Sequence, residues 1–224
     1  MKYELEKSIW TEIDFEQMGW HDCRIYKIRL TEDLEFDIDY ILKWNKPDLE
    51  GLSFTFWVAP ATLVFKKPTN LTFDLDTTFA SAVEIENIER ELTSNGSIWT
   101  IITHQGDLEF RSEGYEQFIR QEPSYQLRQT IPFPERYGIS LERTTKQDNP
   151  NKFRDDLVEQ RKKDFEHYEN LKKRHLKRQE KEELNKLRDN NLIGTKEYIL
   201  TKKKIEQMID FYDDLLKDTT FESW

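Results

Sequence analysis

The chain has 224 residues and a formal net charge of −10, with 35% charged and 13% aromatic residues. Seven glycines, seven prolines and a single cysteine exclude a Gly/Pro-rich disordered chain and a disulfide-stapled scaffold. No span of about 20 apolar residues occurs, so we predict neither membrane insertion nor export and expect a protein of the reducing cytoplasm.

Charge is distributed unevenly along the chain. Residues 1–145 contain 15 Lys/Arg and 26 Asp/Glu, a net charge of −11, whereas residues 146–224 contain 19 and 18, a net charge of +1. We therefore predict an acidic β-rich domain over 1–145 and a charged helical hairpin over 146–224. The predicted class is α+β: an antiparallel β-rich domain, either a sheet or an open barrel, followed by a C-terminal antiparallel helical hairpin.

The most apolar stretch, Leu52 to Phe65, has 14 residues and no charge. It is too short to cross a bilayer as a helix, and its aromatic and β-branched residues favour a strand. Pro60 lies within it and has no amide to donate to a sheet. We therefore predict two separate strands, from Leu52 to Val58 and from Ala61 to Phe65.

Four further strands are predicted from side-chain patterns. Residues 34–40 alternate apolar with acidic side chains, which indicates a strand with one face in water. The others are predicted at 83–92, 97–104 and 107–111, with a hairpin turn at Asn95-Gly96 between the first two.

From about Thr144 the chain is predicted to be helical. Asn149 is a suitable N-cap with Pro150 in the first helical position, and a helix of up to about 40 residues should follow. A second helix begins near Thr195. Its apolar seam, spaced by steps of three, four or seven, is an oligomerisation or partner-binding candidate and consists of Tyr198, Ile205, Ile209, Tyr212 and Leu216. We expect the hairpin either to fold onto the β-rich domain or to pair with another copy.

The segment from Leu184 to Tyr198, continuing to Ile205, resembles the short C-terminal domain known as SHOCT. It has a Leu-x-x-Leu helix end, a turn, paired aliphatic residues, a cap and then Glu-Tyr. Asn191 replaces the usual turn glycine and Gly194 replaces the usual Ser or Thr cap. Both replacements suit the geometry, because Asn tolerates the left-handed conformation and Gly is an acceptable cap. The resemblance implies an oligomerising or partner-binding hairpin without catalysis.

The segment from Gly19 to Ile25, which reads Gly-Trp-His-Asp-Cys-Arg-Ile, precedes the acidic alternating strand. It is similar to the His-Asp-x-x-Ile opening of several small bacterial β-rich families, including immunity proteins of polymorphic toxin systems. This resemblance implies an interaction protein with a protein partner, such as a basic toxin.

Four aspartates on polar strand faces form the first candidate site: Asp37, Asp39, Asp74 and Asp76. Paired carboxylates could bind a basic partner, bind Ca²⁺ or Mg²⁺, or act as acid and base, and a solvated sheet face is the structural alternative. If the two pairs lie on neighbouring strands, they would face each other. We favour a docking surface for a basic protein.

A pocket is the second candidate site, formed by Trp20, His21, Asp22 and Trp57. A carboxylate beside an imidazole can fix its tautomer. Metal binding would require further ligands, however, and the sequence contains neither HxxH nor HExxH. A hydrogen-bonded turn at the start of a strand is the simpler interpretation, so we predict no metal, no cofactor and no catalytic residue.

Two further features are interpreted structurally. Arg161 to Arg178 contains eight Lys/Arg and three acidic residues, yet the acidic chain would repel phosphate, so we expect a solvated helix face and no nucleic acid partner. Cys23 lies in an apolar strand pattern that does not favour a nucleophile. The leading hypothesis is a non-enzymatic, immunity-type module that blocks a basic partner through an acidic sheet face. The alternative is a small-ligand- or metal-binding protein or enzyme that uses the pocket near Trp57.

Overall fold

The computed structural model of the chain describes residues 2–76, 82–94 and 96–223. Its contacts divide it into two compact units, Met1–Lys46 with Phe54–Lys152, and Pro47–Ser53 with Phe153–Trp224. The first unit is an open antiparallel sheet and the second contains two long helices, so the predicted α+β class is confirmed. The loop Pro47–Ser53 interrupts the first unit and belongs with the helices, an assignment that the sequence did not indicate.

Within the described residues, the first unit has ten strands, paired antiparallel in the order β1-β9-β4-β3-β2-β6-β7-β8-β5, with β10 also paired to β4. They are β1 (Ile9–Thr11), β2 (Cys23–Leu30), β3 (Leu34–Asn45), β4 (Thr55–Phe65), β5 (Thr69–Leu75), β6 (Val83–Thr93), β7 (Gly96–Thr103), β8 (Gly106–Ser112), β9 (Tyr115–Ile119) and β10 (Ser124–Gln126). A 3₁₀ helix (Glu12–Gln17) follows β1, and the short helix α1 (Phe133–Arg136) follows β10.

Strands β3 and β4 form the centre of the sheet and are buried on both faces over most of their length. On one face, Phe65 of β4 packs against Phe110 of β8 and Trp99 of β7, with ring centroids 4.8 and 5.2 Å apart. On the other face, residues 120–143 cover β3. The predicted strand at 34–40 is therefore present, but the prediction that one of its faces is in water is wrong.

Strand β4 runs without a break through Pro60, so the prediction of two strands is wrong. Strand β10 pairs with residues 56–58 of β4 and β9 pairs with residues 61–65, which leaves Pro60 where one neighbour replaces the other. The Pro60 carbonyl accepts a hydrogen bond from the Arg120 amide at 2.9 Å. The N–H and C=O of a strand residue point to the same side of the strand. The position where Pro60 lacks a donor therefore faces the junction between β10 and β9, where no strand hydrogen bond is lost.

The remaining predicted strands are confirmed as β6, β7 and β8. Residues Thr93 and Gly96 pair at the end of the β6–β7 hairpin, while Asn95 of the predicted turn lies outside the described residues. Strands β7 and β8 form a second hairpin, closed between Thr103 and Gly106. Gly106 has φ +126°, and a Cβ there would lie 2.0 Å from the Asp74 carbonyl oxygen, so this turn requires glycine.

The second unit contains α2 (Asp155–Asp189) and α3 (Thr195–Leu216), which pack antiparallel. Helix α2 begins at Asp155, so the predicted start at Pro150 is wrong. Asn149 begins a turn instead: its Oδ1 accepts from the Asn151 amide at 3.0 Å, and its Nδ2 donates to Gln121 Oε1 at 2.8 Å and to the Glu135 carbonyl at 2.7 Å.

The turn between the two helices has the predicted geometry. Asn191 adopts the left-handed conformation with φ +55°, and Gly194 is the N-cap of α3. Along the predicted seam of α3, Ile205 and Leu216 are buried and Tyr198, Ile209 and Tyr212 are half-buried. Tyr198 Oη donates to Asn185 Oδ1 of α2 at 2.9 Å, so α2 is the partner of this seam. Pairing with another copy stays a prediction.

Candidate functional site

Asp37 and Asp39, predicted to dock a partner, are completely buried under residues 120–143. Asp37 Oδ1 accepts a hydrogen bond from Arg120 Nη2 at 2.6 Å, and its Oδ2 accepts one from Arg136 Nη1 at 2.9 Å. Asp39 Oδ1 accepts from Arg136 Nε at 2.9 Å. The prediction that these two carboxylates contact a partner on a polar sheet face is wrong in this structure, because two arginines already bind them.

Arg136 Nη2 also donates to Asp37 Oδ1, and further contacts of the two aspartates come from the same buried network. Asp39 Oδ2 accepts from Tyr26 Oη and from the Ile131 amide, both at 2.8 Å. Asp37 Oδ2 also accepts from the Ser140 amide at 3.0 Å. Burial raises the pKa of Asp39, and attraction to the neighbouring guanidinium opposes that rise only in part. Two carboxylates and two guanidiniums balance in charge, so the network fastens the covering segment to β3.

The exposed acidic surface of the sheet lies instead on strands β5 to β8. Residues on these strands alternate between the core and solvent: Trp99, Ile101, Leu108 and Phe110 are buried, and their neighbours point outward. Five exposed carboxylates share the outward side, which we call the outer acidic face: Asp74, Glu89, Glu91, Asp107 and Glu109.

The register brings the carboxylates of the outer acidic face into two rows. Asp74 lies directly opposite Asp107, and Glu89 and Glu109 flank Thr100 of β7. Like charges opposite each other in an antiparallel pair are separated by about 5 Å at Cβ and are destabilising. Among the described residues, no salt bridge joins any of the five carboxylates to a Lys or Arg.

The centre of the outer acidic face is less polar than its margins. Ile98, Thr100 and Ile102 of β7 are half-buried between the acidic rows. Arg111 of β8 lies opposite Ile98 and supplies a basic group at one end. An apolar strip bordered by charge is the usual anatomy of a protein–protein interface.

Asp74 and Asp76 are exposed, as predicted for surface residues. Asp76 follows β5, and its amide donates to the Gln105 carbonyl at 2.8 Å. Strands β2, β6, β7 and β8 separate β5 from β3 in the sheet, so the two aspartate pairs do not lie on neighbouring strands and do not face each other. The carboxylate that faces Asp74 comes from β8.

The four residues of the predicted pocket have separate surroundings. Trp20 is buried in the core and its Nε1 donates to Gln117 Oε1 at 2.8 Å. Trp57 packs against Tyr3 and Tyr125, each with ring centroids 5.4 Å apart.

His21 and Asp22 do form a pair. His21 is exposed, and its Nδ1 lies 2.9 Å from Asp22 Oδ1. Gln129 Nε2 donates to Asp22 Oδ2 at 2.6 Å, which holds the carboxylate in place. The His21 ring lies edge-on to Trp44 with centroids 5.9 Å apart. The structure thus contains an oriented imidazole, but the ring beside it belongs to Trp44 and not to Trp20 or Trp57, the two tryptophans of the predicted pocket.

In the described ranges, no group of three or more His, Cys, Asp or Glu side chains is placed to hold a metal ion. No helix of residues 2–76, 82–94 or 96–223 is both long and apolar enough to span a membrane. Comparison of the chain with protein-family models, curated proteins and solved structures gives no match.

Proposed function

We propose that this protein is a non-enzymatic interaction module that binds a basic protein surface through the outer acidic face. The observation that carries the proposal is the placement of Asp74 opposite Asp107, in a group of carboxylates that form no salt bridge to Lys or Arg within the part of the chain that the structure describes. Such an arrangement costs stability in the free protein. A cationic partner would relieve this repulsion on binding, so the cost becomes part of the binding energy.

The charge of the chain supports the same proposal. The net charge of −11 over residues 1–145 attracts basic surfaces at long range and speeds encounter. Carboxylates in rows resemble the phosphates of a nucleic acid strand in charge, so a basic nucleic-acid-cleaving cleft is a suitable target. Together with the His-Asp-x-x-Ile opening at His21 to Ile25, this supports an immunity-type protein that blocks a basic toxin.

The test is co-expression with the toxin encoded beside this gene. We expect the wild-type chain to rescue growth and to co-purify with the toxin. The variant Asp74→Lys/Glu89→Lys/Glu109→Lys should lose both properties, because it reverses the outer acidic face.

The matched control is Glu6→Lys/Glu32→Lys/Glu142→Lys, which changes net charge equally at exposed sites elsewhere in the same unit. It should retain rescue at a somewhat lower association rate. Absence of rescue by the wild-type chain, or equal loss in both triple variants, contradicts the proposal.

A second candidate function is supported by the oriented imidazole of His21. An exposed imidazole held by Asp22 and bordered by Trp44 could bind a small ligand by hydrogen bonding and stacking. A thermal-shift screen with divalent metals and metabolites tests it, because a ligand specific for the folded state raises the melting temperature. A ligand whose effect disappears in His21→Ala would favour this function, and flat results across the panel would reject it.

A further inference from the structure

A cleft of about 280 Å³ lies within the second unit, between the loop Pro47–Ser53 and helix α2. Gly51 has φ +89°, and a Cβ there would lie 2.8 Å from His175 Cε1, so the loop backbone closely approaches the imidazole. Leu171, buried on α2, also lines the cleft. A cleft smaller than the usual 300–1,000 Å³ for drug-sized ligands suits a small molecule or ion.

Arg174 forms the fixed side of the cleft. Its side chain is 2% exposed. Nη1 donates to Asp213 Oδ1 at 3.0 Å and to the Glu222 carbonyl at 3.2 Å, and Nη2 donates to the Phe221 carbonyl at 3.3 Å. These contacts hold a positive charge at the cleft without requiring an entering ligand to order the side chain.

Arg178, one helical turn further along α2, is the less constrained cation. Its side chain is 48% exposed, and Nη2 lies 3.4 Å from the same Asp213 oxygen that Arg174 binds. Asp213 contacts both guanidiniums, and among the described residues this 3.4 Å contact is the one hydrogen bond of the Arg178 side chain. Arg178 therefore retains donors and positive charge that an anion in the cleft can use.

The opposite wall of the cleft supplies neutral donors. Neither the amide nor the hydroxyl of Ser53 forms a hydrogen bond within the described residues. His175, on the helix side, adds no free donor at Nε2, because this nitrogen lies against the Glu50 carbonyl. Donor groups therefore line the cleft on both sides, Arg174 and Arg178 on the helix and Ser53 on the loop.

We propose that this cleft binds a small tetrahedral oxyanion of the phosphate type, held by Arg178 and the Ser53 donors, with Arg174 providing fixed positive charge. A tetrahedral anion presents oxygens in several directions, which matches donors arriving from two walls, whereas a planar carboxylate matches one arginine fork. This site goes beyond the proposed function, because it uses neither the outer acidic face nor a basic protein partner.

The experiment measures binding of inorganic phosphate to the full-length chain by calorimetry and by thermal shift, against sodium chloride at equal ionic strength. We expect saturable binding in the millimolar range and at least tenfold weaker binding in Arg178→Ala. The matched control Arg188→Ala removes the same charge elsewhere on α2 and should bind as the wild type does. Ser53→Ala should weaken binding severalfold while leaving the net charge unchanged.

Three results would overturn the proposal. The first is a phosphate effect no larger than that of sodium chloride, which reports general screening. The second is equal binding by Arg178→Ala and the wild type. The third is acetate binding as tightly as phosphate, which would assign a carboxylate fork instead of a tetrahedral site. None of these results bears on rescue from a toxin, so the two proposals fail independently.

Discussion

Replacement of Arg136 by Met tests whether the buried ionic network fastens residues 120–143 over β3. Arg136 is completely buried and donates to both Asp37 and Asp39. Methionine preserves much of the side-chain volume but donates no hydrogen bond. Asp37 would keep Arg120, and Asp39 would keep only neutral donors, so one buried negative charge would lose its compensation.

Removal of one partner of a buried ion pair costs about 3–5 kcal/mol. The matched control is Arg143→Met. Arg143 is 40% exposed and pairs with Asp33 and with the buried Glu35, which keeps Arg29 as a second partner, so its loss does not leave Glu35 without a cation. The cost should therefore be nearer the value of about 0–1 kcal/mol for an exposed pair. The free energy of unfolding of a domain is about 5–15 kcal/mol, so Arg136→Met should still fold, but with a much smaller free energy of unfolding.

Urea unfolding followed by tryptophan fluorescence measures the difference, since five of the six tryptophans lie in the first unit. With an m value of about 1–3 kcal/mol/M, a loss of 3 kcal/mol lowers the midpoint by about 1–3 M. Adding Asp39→Asn to Arg136→Met removes the uncompensated charge and should recover part of the loss. A cost below about 1 kcal/mol, or one equal to that of Arg143→Met, would refute the reasoning.

Three more predictions follow from charge and burial in the first unit. Burial alone would raise the pKa of Glu35, but hydrogen bonds from two arginines lower this pKa below the usual 4.5. The stability that ionised Glu35 contributes is therefore complete above pH 4.5 and is lost as the pH falls through the lower native pKa. The urea midpoint should therefore decrease as the pH is lowered from 6 to 3, and the decrease should be smaller in Arg143→Met. A midpoint that does not change with pH would contradict this prediction. Burial raises the pKa of Cys23 to about 12, so a thiol reagent at pH 8 should label it only on unfolding, and rapid labelling of the native chain would disprove its burial. Asp74→Asn should stabilise the chain by about 0.2–1 kcal/mol at low salt, because it removes repulsion from Asp107, and the gain should shrink with added salt; no gain at low salt would show that the two charges do not interact.

Local features were predicted best from the sequence. Asn191 and Gly194 were assigned their backbone roles because a helix end depends on a few adjacent residues. Ile85 and Ile88 are three residues apart, which is out of phase for a regular strand, yet both are buried because the β6–β7 register shifts between Ile85 and Asn87. A bulge of this kind has no reliable sequence signal.

Features that depend on distant partners were predicted poorly. The alternation around Asp37 and Asp39 indicates a strand, but burial depends on Arg120 and Arg136, which lie 83 to 99 residues further along the chain. Composition cannot reveal such pairing, because each arginine by itself resembles a surface residue. The outer acidic face was recoverable in principle: once the β7–β8 hairpin is assigned, alternation places Glu109 on the outward side.

The loop Pro47–Ser53 has a consequence for the order of folding. Its Glu50 carbonyl contacts His175 across 125 residues of chain, so during synthesis the loop emerges long before the helix that it packs against. Contacts of such long sequence separation form late, because the intervening chain must first be ordered. A nascent chain stopped at Lys152 would contain all ten strands but an unsupported loop. The second unit can therefore be completed only after helix α2 has been synthesised and folded.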